Sequence, residues 1–180
     1  MKWIGSNGGP FIVLPWAQRA KWEGADAPAA GRVVRAKFRW DGEANPATDY
    51  DEACDRACGP AFFGLVRRKD FVALALTMYS KTWVPQPRGG IIVHCDTTPS
   101  EAHANRIVRG LGTAQVRWRK TRLRMPGGKL VMCDAAYPGR SQPPKMRLVF
   151  QLPAGTYAIS VADHEPDVET AMTLYRFTRG

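Results

Sequence analysis

The sequence lacks the marks of a membrane protein, a secreted protein or a motif-bearing enzyme. No apolar run approaches the roughly 20 residues that a membrane-spanning helix needs; the longest, residues 11–14 and 71–76, are of strand length. The opening decapeptide, Met1 to Pro10, has no apolar stretch after Lys2, which predicts a cytoplasmic protein with no contact to membrane. Acidic residues are scarce: 16 Asp and Glu stand against 26 Lys and Arg, a net charge of +10. Such a positive field attracts anionic partners, either nucleic acid or an acidic protein surface, and charge alone does not choose between them.

Residues that carry chemistry are few and scattered. The four cysteines are Cys54, Cys58, Cys95 and Cys133. Zinc sites use tight local pairs, usually with two residues between cysteines; the spacing of Cys54 and Cys58 is looser and no second pair matches it. The four read as reduced thiols that mostly pack. His94, His103 and His164 fall in unrelated contexts, and no serine lies in a Gly-x-Ser-x-Gly elbow. The glycine-rich segment 5–10 lacks the Gly-Lys-Ser/Thr of a phosphate loop, and residues 11–14 after it read as a strand instead of a helix. No catalytic residue, metal site or cofactor is therefore assigned, and the expected mode of action is binding.

What is present suits a globular chain. Apolar residues make up 44% and charged residues 23% of 180 positions. A chain of this length buries about 70% of its unfolded surface, enough for a core without staples. Residues 11–14 form an apolar strand stopped by Pro15. Residues 33–40 alternate Val34, Ala36, Phe38 and Trp40 against Arg35, Lys37 and Arg39, the period of a half-buried strand. Helices are predicted over 49–58, capped by Asp49 or Asp51, and over 100–109, capped by Ser100 or Thr98. Strands are predicted at 62–67, 71–79, 91–95, 114–124, 129–133, 146–152, 157–162 and 172–177. Turns at 125–128, 138–144, 153–155 and 163–167 separate the later ones. Short sequential strands with tight turns favour antiparallel pairing. The expected fold is α+β: a mainly antiparallel sheet with about two short helices, in one compact domain over 1–180, with a weak subdivision at 110–113 as an option.

The sharpest local feature is Arg117-Trp118-Arg119-Lys120-Thr121-Arg122-Leu123-Arg124. On a strand, Trp118, Lys120, Arg122 and Arg124 share one face. Arg and Trp suit phosphates and stacked bases, protein hot spots, or an edge strand protected by charge. Arg117, Trp118, Arg119 and Arg122 are the candidate partner-binding residues, with Arg35, Lys37 and Arg39 as the alternative face.

Several segments, in order, resemble the immunity protein 21 family of bacterial polymorphic-toxin systems. Trp3-Ile4-Gly5-Ser6-Asn7-Gly8-Gly9-Pro10 and the apolar strand up to Pro15 are similar to its opening. Trp22-Glu23-Gly24, Asp49-Tyr50-Asp51-Glu52-Ala53-Cys54, Asp134-Ala135-Ala136-Tyr137-Pro138-Gly139 and Leu152-Pro153-Ala154-Gly155-Thr156-Tyr157 resemble later elements. Residues 61–109 match the pattern poorly. The resemblance implies a cytoplasmic protein that binds and neutralises a cognate toxin, by occluding its active site or an acidic surface. It implies no catalytic residues, and the matched glycines, prolines and aromatics read as scaffold. A basic nucleic-acid-binding module using residues 117–124 is the alternative.

Overall fold

The computed structural model describes residues 1–25, 48–58, 62–112 and 114–180. The strand expected over 33–40, with Arg35, Lys37 and Arg39, lies outside the described residues. The elements are β1 (Phe11–Pro15), a 3-10 segment (Trp16–Lys21), α1 (Asp49–Cys58), β2 (Phe63–Arg67), β3 (Val72–Leu76), β4 (Ser80–Gln86), β5 (Gly89–Thr97), α2 (Glu101–Gly110), β6 (Arg119–Asp134), a second 3-10 turn (Pro144–Met146), β7 (Arg147–Asp167) and β8 (Thr170–Arg179). Hydrogen bonding orders the strands β2-β3-β1-β6-β7-β8-β5-β4, with antiparallel neighbours, so the fold is the α+β, mainly antiparallel one that the sequence predicts.

The helices begin where the sequence provides caps. Ser100 accepts the His103 N–H at 3.1 Å, which starts α2. At α1 the cap is Thr48: its hydroxyl accepts the Asp51 N–H at 3.1 Å, and the Asp51 carboxylate takes the Thr48 N–H at 2.8 Å. This reciprocal pair is a capping box, and it displaces Asp49 from the expected capping role.

Two expected turns are not turns. β6 runs unbroken through Met125-Pro126-Gly127-Gly128, and β7 through Pro153-Ala154-Gly155. Proline and glycine within strands mark irregularities and close backbone approach as readily as turns. Here the two places meet: a Cβ on Gly127 would sit 2.3 Å from the Pro153 carbonyl oxygen and 2.7 Å from the Tyr157 ring.

The contacts divide the chain into two units. One comprises Met1–Gly5, Tyr79–Gly128 and Gln151–Gly180. Its core sets Ile91, Val93 and Cys95 of β5, and Met172 and Leu174 of β8, beneath Ala104 and Val108 of α2. The other comprises Ser6–Met78 and Lys129–Phe150. There Ile12, Leu14, Ala73, Ala75, Val131 and Cys133 pack with Ala53 and Ala57 of α1 and with the fully buried Trp22.

Most of the resembling segments converge in this second unit. The Trp22 indole donates to the Ala135 carbonyl at 2.9 Å, and the Gly139 N–H donates to the Trp22 carbonyl at 2.8 Å. The Asp134 carboxylate accepts the N–H groups of Asn7 and Ala136. Gly24 has φ +63, and a Cβ there would lie 2.5 Å from the Ala136 carbonyl oxygen. Gly9 packs against the Tyr50 ring, 2.8 Å from where its Cβ would stand. These residues are scaffold, tied by main-chain hydrogen bonds that only glycine-sized neighbours permit.

Candidate partner-binding surface

The strip 117–124 starts before the sheet does. Arg117 and Trp118 precede β6, which begins at Arg119. From there exposure alternates as a strand dictates: Lys120, Arg122 and Arg124 are exposed, Thr121 and Leu123 half-buried, Met125 buried. β1 pairs only with residues 130–134 of β6, so among the described residues the stretch 119–129 meets no strand on that side.

The predicted residues fare differently. Arg117 and Arg122 are exposed and, among the described residues, enter no ion pair. Arg119 reaches Asp163 at 3.0 Å, both side chains about two-thirds exposed (64% and 66%), a geometry that contributes at most about 1 kcal/mol. Trp118 is half-buried against the core beneath α2, with the Arg176 guanidinium 4.1 Å from its ring centre. A groove of about 430 Å³ opens beside it, lined by Arg88, Gly90, Leu111, Val116, Arg176 and Phe177.

A second polar group fits a sheet interior better than a reaction centre. Lys81 on β4, His94 on β5, Thr173 on β8 and Asp163 on β7 are successive cross-strand partners on one face. Burial holds His94 down at about 3, with the Lys81 charge adding to the effect, and burial pulls Lys81 far below its ordinary value. The His94 Nε2 lies 3.2 Å from an Asp96 oxygen but without hydrogen-bond geometry, and Tyr79, at φ 74, stacks its ring over the imidazole at 5.8 Å. The nearest nucleophiles by sequence, Ser80 and Cys95, pair with each other on the opposite face, and burial pushes the Cys95 thiol up. A cavity of about 480 Å³ near them is lined by Trp3, Tyr79, Cys95, Asp96 and Glu101. Among the described residues no cluster of three metal-ligating side chains occurs, and no helix is long and apolar enough to cross a membrane.

A third group is not singled out by the sequence. Trp16 is half-buried and is approached by three cations: Arg19 at 3.9 Å from its ring centre, Lys129 at 4.8 Å and Arg147 at 5.2 Å. The only local signal is the three-residue spacing of Trp16 and Arg19. Lys129 and Arg147 arrive from distant strands.

The model of the family described as immunity protein 21 matches residues 2–170 of the 180. The chain belongs to the immunity protein 21 family. A search of curated proteins found no match, and neither did a search of solved structures.

As a member of the immunity protein 21 family, the chain is an immunity protein of a toxin system, with a cognate toxin implied as its partner. Proteins of this family are generally non-enzymatic. The family assignment carries no site residues, so the binding face has to be sought in surface chemistry.

Proposed function

We propose that this immunity protein neutralises its toxin in the cytoplasm by forming a stoichiometric complex, with its cationic strip laid against an acidic surface that includes or adjoins the toxin's active site. The observation that carries this reading is the set of exposed cations Arg117, Lys120 and Arg122, which have no ion-pair partner among the described residues and stand beside the Trp118 groove. Arg and Trp are the residues most enriched at binding hot spots. Complementary charge also speeds encounter, which matters when free toxin is lethal.

Co-expression with the toxin encoded by the neighbouring gene tests the function. Protection, with a complex that survives purification, is the expected result; no protection and no complex would overturn it. The double substitution Arg117→Glu and Arg122→Glu tests the strip. It should slow association and reduce the salt dependence of binding while leaving the fold intact. Toxin affinity at the wild-type level in that variant would remove the strip from the interface. Salt-sensitive retention of nucleic acid, with no toxin complex, would favour the nucleic-acid reading.

A further inference from the structure

We infer that the cavity of about 480 Å³ lined by Trp3, Tyr79, Asp96 and Glu101 is a cation-binding site that takes an Arg or Lys side chain of the toxin, apart from the strip 117–124 and of opposite charge. The identity of the partner rests on the proposed toxin binding; the chemistry of the site does not.

The lining carries that chemistry. In a chain of net charge +10, the charged residues that line this cavity are both acidic, Asp96 and Glu101. No lysine, arginine or histidine is among its described lining residues. Trp3 and Tyr79 add two aromatic rings. Aromatic faces and carboxylates around one space recognise a cation by ring quadrupole and by charge together. A long cationic side chain would lay its apolar stem along the rings and present its head to the carboxylates.

Backbone irregularities bring these groups to one space. The register of β5 against β8 shifts between Cys95 and Thr97, which makes Asp96 the extra residue of a bulge. In a regular strand Cys95 and Asp96 would face opposite sides of the sheet; here both line the cavity. The Ala171 N–H donates to the Thr97 hydroxyl at 3.1 Å, which ties the bulge to β8. Tyr79, at φ 74, has a left-handed conformation that residues other than glycine adopt rarely, and such strain gathers at ligand sites. Its ring stacks on His94, and the residue is still 56% exposed. The Trp3 indole N–H donates to the Asn105 side-chain oxygen at 2.9 Å. A wall fixed beforehand lowers the ordering cost of binding.

The acidic groups are only lightly engaged. One Asp96 oxygen accepts the Thr173 hydroxyl at 3.3 Å; the other lies 3.2 Å from His94 Nε2 without hydrogen-bond geometry. Burial raises the Asp96 carboxyl above its usual value, ahead of the Thr173 hydrogen bond and the Lys81 charge, which lower it, and a bound cation would favour the ionised form. Glu101 is exposed and enters no ion pair among the described residues. Behind Asp96, His94 is 1% exposed and neither of its ring nitrogens has a hydrogen-bond partner. Buried polar groups left open in this way are rare. A carboxylate drawn over by a bound cation can turn an oxygen to accept from the imidazole.

The experiment has two arms on the full chain. In the first, the indole N–H resonance of Trp3, assigned with Trp3→Phe, is followed by NMR during titration with a tetra-arginine peptide, with tetraglutamine as the uncharged control. The net charge of the protein repels this probe, so its binding reports a local site. A saturable shift with tetra-arginine alone is expected, lost in the double variant Asp96→Asn and Glu101→Gln. Glu101→Gln by itself, at an exposed position, should already weaken the binding, which keeps the test decisive if the double variant fails to fold. No shift, an equal shift with tetraglutamine, or unchanged peptide affinity in Glu101→Gln overturns the site. In the second arm, the wild type and Glu101→Gln are titrated with the cognate toxin by calorimetry. Weakening of about tenfold in the variant is expected of a hot spot. Unchanged toxin affinity beside weakened peptide binding would overturn the toxin assignment. Absence of any wild-type complex would overturn the immunity reading, and the first arm would still decide the cation site.

Discussion

Arg176 lays its guanidinium 4.1 Å from the ring centre of Trp118, on the side of the sheet where Trp118 packs beneath α2. Burial draws the guanidinium's proton affinity down and leaves its Nε without a hydrogen-bond partner, so the indole face is its compensation. Trp118 is thus part wall of the core and part rim of the proposed binding strip. Trp118→Ala should cost about 2 kcal/mol of stability, from lost packing and the lost cation–π contact together. Arg122→Glu should stay within about 0.5 kcal/mol of the wild type, as for other exposed substitutions. Urea denaturation of the two variants checks both. Wild-type stability in Trp118→Ala would make the ring a surface residue only.

The second prediction concerns the start of α1. Arg68 donates from Nη2 to Asp49 at 2.6 Å and from Nη1 to Glu52 at 2.7 Å, while the other Asp49 oxygen takes the Glu23 N–H at 2.9 Å. Asp49 is 2% exposed. Removing one partner of a buried pair strands the other charge, so Arg68→Ala should cost about 3 kcal/mol. Asp49→Asn should also destabilise, because an amide has one accepting oxygen where the carboxylate accepts at both, from Arg68 at one and from the Glu23 N–H at the other. Thermal unfolding of both variants is the measurement. A cost under about 1 kcal/mol for Arg68→Ala would show the pair to behave as an exposed one.

Much of this fold was legible because local chemistry agreed with the final structure. α1 follows the predicted bounds 49–58, and Ser100 caps α2 as its position suggests. The long strands were not legible, because Pro126-Gly127-Gly128 and Pro153-Ala154-Gly155 carry turn composition. Only the facing of Gly127 and Pro153 across two strands distant in sequence turns them into strand irregularities. The alternation of Lys120, Arg122 and Arg124 could be read from period two. That Trp118 leaves this pattern to join the core depends on Arg176, 58 positions on, which no local window contains. The Trp16 cluster was hidden for the same reason: its cations come from positions 19, 129 and 147.

Gly127 provides the third prediction. Gly127→Ala would drive a Cβ into the Pro153 carbonyl oxygen, a backbone atom that cannot swing aside. A loss of about 2 kcal/mol is expected, in the range of overpacking costs. Gly5→Ala is the control, since a Cβ there meets nothing within 4 Å. Chemical denaturation should separate the two clearly. Equal stability would mean that β6 and β7 can spread at this point without cost.

The fourth prediction is the direction of the acid response. His94 is 1% exposed, and its proton affinity falls from 6.5 to about 3 in the folded chain, chiefly through desolvation and secondarily through Lys81. Between pH 3 and 6.5 the unfolded chain therefore holds a proton on His94 that the folded chain does not. Stability is fully present above 6.5 and falls with decreasing pH down to about 3, by up to about 1.4 kcal/mol per pH unit for one proton. Lys81, also lowered by burial, acts in the same sense from its ordinary 10.5 downward. Asp96 works against both: burial raises it above 3.8, so the folded state gains a proton there over the lower part of the window. His94→Gln removes the imidazole and keeps Lys81 and Asp96 in place. Its urea midpoint should fall less steeply than that of the wild type from pH 6.5 to 4, whatever its stability at neutral pH. Parallel curves over that range would show that His94 is protonated in the folded chain, and that Asp96, with an oxygen 3.2 Å away, holds the charged imidazolium despite its burial.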